Sequence, residues 1–163
     1  DTPVPGVVTV GVVPDRPGPA PMPSPVLLRC VCAALDQARL VTTEVYVVAP
    51  TYLEVRVVAE LYADAEADPA ALKEAASQAL ATLFDPLRGG VDGHGWPFGG
   101  DIHFSRVHHA LLLPGVSRLG VVEITLDGTT YPACTDIALP TGALLASLEH
   151  EVTILMADDE EMS

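Results

Sequence analysis

The clearest pattern in the chain is an alternation of apolar and polar positions that begins at Glu44 and is interrupted only at Pro50. Val45, Val47 and Ala49 alternate up to the proline, and beyond it Leu53, Val55, Val57, Ala59 and Leu61 point one way while Glu54, Arg56 and Glu60 point the other. A period of two over this length predicts a strand with its odd-numbered apolar set inward, because a one-residue slip would bury Glu54, Arg56 and Glu60 together. The polar face implies a sheet solvated on one side, which antiparallel sheets permit and doubly wound parallel sheets do not. Val7 to Val13 also alternates and reads as a strand buried on at least one side. Arg118 to Leu126, with Val122, Ile124 and Leu126 aligned, and Glu151 to Met156, with Val152, Ile154 and Met156 aligned, complete the predicted strands. Asp127-Gly128 is a strong turn signal after the third of these.

Helical spacing separates these strands. Ser24-Pro25 reads as an N-cap followed by a first-turn proline, and Leu28, Val31, Leu35 and Ala38 recur at helical intervals behind it. Asp68-Pro69 repeats the signal ahead of a stripe of Leu72, Ala75, Ala76, Ala79, Leu80 and Leu83, which Pro86 stops at or before Asp85. Asp101 to Phe104 reads as a short strand, and Ser105 as the cap of a short helix with Val107, Ala110 and Leu111 that ends at Pro114-Gly115. The resulting order predicts an α+β fold, a two-layer split β-α-β (ferredoxin-like) arrangement with a mainly antiparallel sheet and its helices on one face. Residues 1–24 read as a strand and a proline-rich connector from a preceding domain, residues 25–157 as the α+β domain, and residues 158–163 as an acidic disordered tail. The chain opens at Asp1 rather than Met and reads as a portion of a longer one.

Between the second and third helices runs Asp85-Pro86-Leu87-Arg88-Gly89-Gly90-Val91-Asp92-Gly93-His94-Gly95-Trp96-Pro97-Phe98-Gly99-Gly100, with six of the thirteen glycines and the only tryptophan. Glycine at this density and two fixed prolines make a shaped loop. A phosphate cradle would need a lysine and a hydroxyl after the last glycine, and a dinucleotide fingerprint would need a third glycine where Phe98 stands. A metal loop would use Asp92, His94 and Asp101, which have no recognised ligand spacing. The remaining reading is structural: Asp92, His94, Trp96, Pro97 and Phe98 form a structural or interface loop, with Trp96 packed inside the domain and the rim of His94 and Asp92 left for a partner.

Composition narrows the function classes. A formal net charge of −14, with 8 Lys and Arg against 22 Asp and Glu, repels nucleic acid and anionic lipid. No apolar run approaches a membrane span, so neither nucleic-acid binding nor membrane insertion is expected. Cys30, Cys32 and Cys134 form neither a redox pair nor a zinc knuckle, and read as small core residues in a reducing compartment. His103, His108 and His109 do not share a helical face. No nucleophile elbow surrounds a serine and no cysteine has a histidine and an acid at a recognisable spacing, so no catalytic, cofactor or metal residues are assigned. An enzyme and a glycan- or metal-binding module stand as the rival classes.

Several motifs together resemble a known family. Gly6-Val7-Val8-Thr9-Val10 with Val13-Pro14, the pair Val45-Tyr46-Val47 and Ala49-Pro50-Thr51-Tyr52, a helix closed by Asp85-Pro86, the Gly95-Trp96-Pro97-Phe98-Gly99 loop, Ser105, Val107 and Leu113-Pro114-Gly115-Val116 occur in the order found in the C-terminal region of baseplate J-like proteins. The resemblance covers most of residues 5 to 156, and the segment Thr129 to Gly142 and the acidic tail fit it less well. It implies a wedge subunit of a contractile phage tail or contractile injection system. Such a subunit would act in a hetero-oligomeric assembly with a second wedge protein, sheath and hub, inside a cytoplasmic particle and without a cofactor.

Overall fold

The computed structural model describes residues 5–90 and 92–156; the expected acidic tail lies outside them. The strands and helices are β1 (Val7–Gly11), α1 (Pro25–Asp36), β2 (Glu44–Val48), β3 (Thr51–Ala63), α2 (Pro69–Leu83), α3 (Phe104–Leu111), β4 (Val116–Leu126), β5 (Thr129–Tyr131), β6 (Ala143–Ser147) and β7 (Glu151–Met156).

β3 is the spine. Val55, Val57, Ala59, Leu61 and Ala63 are all fully buried on its inward face, and Glu54 and Arg56 are exposed on the other, as the alternation requires. Apolar burial of about 25 cal/mol per Å² makes this face the main source of the register's specificity. On one side β3 pairs antiparallel with β4, which continues antiparallel into β5 through Asp127 and Gly128, both at positive φ. On the other side two strands share it in tandem, β6 beside Thr51–Val55 and β7 beside Val58–Ala63, both parallel. α2 and α3 pack on each other and place Leu72, Ala76, Leu80, Val107 and Leu111 over the inward face.

The fold class therefore needs correction. The main sheet is mixed, five strands in the order β5-β4-β3 with β6 and β7 on the far side, rather than a mainly antiparallel ferredoxin-like split unit. A second, two-stranded sheet pairs β1 with β2 in parallel. Glu54 and Arg56 do face solvent, but solvation of one face carries no information about the direction of the partner strands. After β5 the chain passes the start of α3, where Ile137 bridges Ile102, and Ala143 C=O accepts from Gly99 N–H at 2.8 Å. By this route it reaches the opposite side of β3 running the same way as β3, which forces parallel pairing. β6 is the short uninterrupted apolar run of a buried strand, Ala143-Leu144-Leu145-Ala146, and all four residues are buried.

Ser24 and Asp68 cap α1 and α2 as their sequence positions suggest, accepting from Leu27 N–H at 3.2 Å and Ala70 N–H at 3.0 Å. α3 differs. Its N-cap is His103, which supplies no side-chain bond; instead Asp136, 32 residues on, accepts the Phe104 N–H at 2.9 Å. The β1–α1–β2 unit is also unlike its expectation. β1 is largely exposed, α1 contains no buried residue, and Val8, Val26, Leu40, Val41, Tyr46 and Val48 are exposed apolar side chains. Cys30 and Cys134 are exposed and Cys32 is half-buried, so the cysteines are not core residues.

Candidate functional site

The glycine-rich loop is held by one side chain at its start and by its own backbone thereafter. Asp85 opens it, its Oδ1 accepting from the N–H groups of Leu87 and Arg88, each at 2.8 Å. Gly90 N–H returns to Leu83 C=O at 2.9 Å, Gly95 N–H to Gly89 C=O at 3.1 Å, and Gly100 N–H to Pro97 C=O at 3.0 Å. Gly95 has φ of 99°, and a Cβ there would stand 2.7 Å from Pro86 O. The fold of the loop therefore requires glycine at that position.

The aromatic pair divides between two tasks. Trp96 is 5% exposed, donates its indole N–H to Gly100 C=O at 2.9 Å, and meets the fully buried Phe84 at 5.8 Å between ring centroids. Phe98 is 44% exposed and lies over Gly11 of β1, where a Cβ would come within 2.8 Å of its ring. The loop thus anchors in the main core at one aromatic and touches the β1–α1–β2 unit with the other. Tyr52 makes a second tie to the connector, donating its hydroxyl to Pro21 C=O at 2.9 Å. Asp92, His94 and Pro97 are exposed.

Beside the loop is a cavity of about 460 Å³ whose polar lining includes Asp92, His94, Asp101, His103 and Arg106. His103 Nδ1 sits 3.0 Å from Asp136 Oδ2. That hydrogen bond, the Phe104 N–H and the nearby Arg106 hold the Asp136 carboxyl below the usual carboxylate range. The three neighbouring histidines do not converge: His103 turns to Asp136, the half-buried His108 lies 6.2 Å from the Phe104 ring, and His109 is exposed. Among the described residues no three His, Cys, Asp or Glu side chains gather so as to hold a metal ion. No described helix is long and apolar enough to cross a membrane.

A second polar centre has no counterpart in the sequence reading. Between Ser147 and Glu151 the edge strand leaves β3 for three residues, and the His150 ring returns to fill the gap. Its Nδ1 accepts the Val57 N–H at 3.1 Å, and its Nε2 lies 2.9 Å from Ser147 Oγ. Acceptance at Nδ1 requires the neutral Nε2–H tautomer. The ring is 5.8 Å from Phe84, and burial, with Arg56 adding to it, holds its pKa down at about 4. On the outer face Arg56 pairs with Glu151 at 2.7 Å. A groove of about 1030 Å³ runs between α2 and this interrupted edge. A lone histidine in a terminal loop signals none of this, because the missing ladder bond is a tertiary fact.

The sequence matches no protein-family model and no curated protein. Among solved structures, a chain of the anti-feeding prophage baseplate, determined by cryo-electron microscopy with six-fold symmetrisation, superposes with a TM-score of 0.65 at 17% identity. The fold recurs in a baseplate. The likeness takes in 90% of this chain and 30% of that one, so the chain spans under a third of the length of the solved relative.

Proposed function

We propose that this chain is a structural component of the baseplate of a contractile injection system, a portion of a wedge subunit of the baseplate J-like type. The observation that carries the proposal is a fold shared with a baseplate chain over nine-tenths of the molecule. The order of motifs from Gly6 to Val116 agrees with it, and so does the construction of the glycine loop. Trp96 is buried in the main core and Phe98, though partly exposed, lies over Gly11 of β1, so the loop touches two parts of the chain, as a scaffold needs. In this reading the chain is non-catalytic and needs no cofactor. It works in a cytoplasmically assembled particle alongside a second wedge protein, sheath and hub.

The test is assembly. Deletion of the coding segment for residues 5–156 from its native chain should abolish sheathed particles in negative-stain electron micrographs of source lysate, and expression in trans should restore them. An affinity-tagged full-length protein should co-purify with the other baseplate proteins. Normal particles in the deletion strain would refute the proposal.

A further inference from the structure

The interruption of the edge strand at Leu148-Glu149-His150 is built to be closed by a side chain. Leu148 N–H still reaches Val55 C=O at 2.9 Å, and β7 resumes its ladder with Val58 opposite Glu151. The one β3 donor left between them, Val57 N–H, has no backbone acceptor and takes His150 Nδ1 instead. Val57 is fully buried, so water does not readily replace that acceptor. The arrangement needs the imidazole neutral, because an imidazolium carries hydrogens on both nitrogens and accepts nothing.

We propose that His150 is a proton-operated latch on the β3 edge: neutral, it joins β6 to β7 across the gap, and on taking a second proton it leaves Val57 and opens the wall of the groove beside α2. The charged groups around the ring set the balance. Arg56 of β3, already paired with Glu151 of β7, opposes protonation from the strand side. Lys73 and Glu74 of α2 and Glu149 of the excursion line the groove into which the released ring would move. There a charged imidazole meets carboxylates instead of Val57 N–H and the Phe84 ring. Ser147 is the positioning residue, holding Nε2 so that Nδ1 faces β3. Opening also frees the exposed Glu149, while Leu148 N–H keeps Val55 C=O, so the groove changes shape and the core behind Ala59 and Leu61 stays shut.

Nuclear magnetic resonance of the whole chain tests the latch. Near neutral pH the His150 ring nitrogens should show the Nε2–H tautomer. Lowering the pH from about 6 to about 4 should reduce the protection of the Val57 amide by about tenfold or more after correction for intrinsic exchange, while the Glu123 and Thr125 amides, which face β3 opposite Val58 and Arg56, keep theirs. His150→Phe keeps a ring beside Phe84 and accepts no hydrogen bond, so Val57 should be unprotected at every pH and lose its pH dependence. If that variant fails to fold, the parent's titration still decides. A His150 that titrates near the ordinary histidine value, or a Val57 amide indifferent to its titration, would overturn the proposal.

Discussion

Replacing Trp96 by alanine tests whether the glycine loop is locked to the core. The side chain is 5% exposed, so nearly all of an area of roughly 200 Å² is out of water, and at about 25 cal/mol per Å² its burial stabilises by about 5 kcal/mol. Alanine retains part of this and the loop relaxes into part of the cavity, while the lost indole bond to Gly100 C=O adds about 1 kcal/mol. The expected loss is about 4 kcal/mol, within the range of large-to-small core substitutions, against a typical total of about 5–15 kcal/mol. Because Trp96 is the only tryptophan, urea unfolding should be followed by far-ultraviolet circular dichroism rather than fluorescence. With a slope of about 2 kcal/mol per molar urea, the midpoint should fall by about 2 M. Trp96→Phe, which keeps the contact with Phe84, should lose about half as much. A midpoint shift in Trp96→Ala below about 0.5 M at unchanged slope would show that the tryptophan is not what holds the loop.

Further outcomes follow from other contacts. His150 has a folded pKa of about 4 below its unfolded value of about 6.5, so between these values the unfolded chain binds the proton and the folded chain does not. The stability it contributes is whole above about pH 6.5 and is lost as the pH falls toward about 4, by at most about 3 kcal/mol. Parallel urea titrations of the parent and His150→Phe should isolate that slope, and identical slopes would refute it. Gly11→Ala puts a methyl group against the Phe98 ring and should displace it, shifting amide resonances in β1 and at Gly99 while those of β4 stay in place; unchanged spectra would mean the two units do not meet there. Gly95→Ala should cost more than about 1 kcal/mol, since a side chain at this positive φ is strained and crowds Pro86 O. Thermal melts that coincide with the parent's would contradict this.

What was legible in the chain was whatever depends on neighbours in sequence. The face of β3, the caps at Ser24 and Asp68, the stop at Pro86 and the turn at Asp127-Gly128 all rest on local periodicity or a single residue's stereochemistry, and all are present. Long-range facts were not. Nothing near Ala143 says that it will lie parallel to Thr51, although the apolar run that follows Pro140 and Gly142 is a signature of a buried strand. The cap of α3 comes from Asp136, far outside any capping window, and Ser105 does not provide it. Of the candidate loop, the internal place of Trp96 could be argued from its size; the meeting of Phe98 with Gly11 could not, because it depends on where β1 docks. The general burial of cysteine suggests a core place for Cys30 and Cys32, but α1 buries none of its residues, so that prior misleads here.

The tandem pairing on β3 also dictates a timetable for synthesis. β4 is reached after two helices and the glycine loop, but the acceptor for Val57 N–H lies 93 residues further along the chain. Contacts so distant in sequence close slowly, after the local ones are in place. As the polypeptide leaves the ribosome, the β1–α1–β2 unit, α2, α3 and the β4–β5 hairpin can form while one flank of β3 still shows its unsatisfied amides and carbonyls. That flank is a sticky edge for as long as β6 and β7 are unmade. A nascent chain stalled after Tyr131 would therefore be the aggregation-prone species and the natural client of a chaperone.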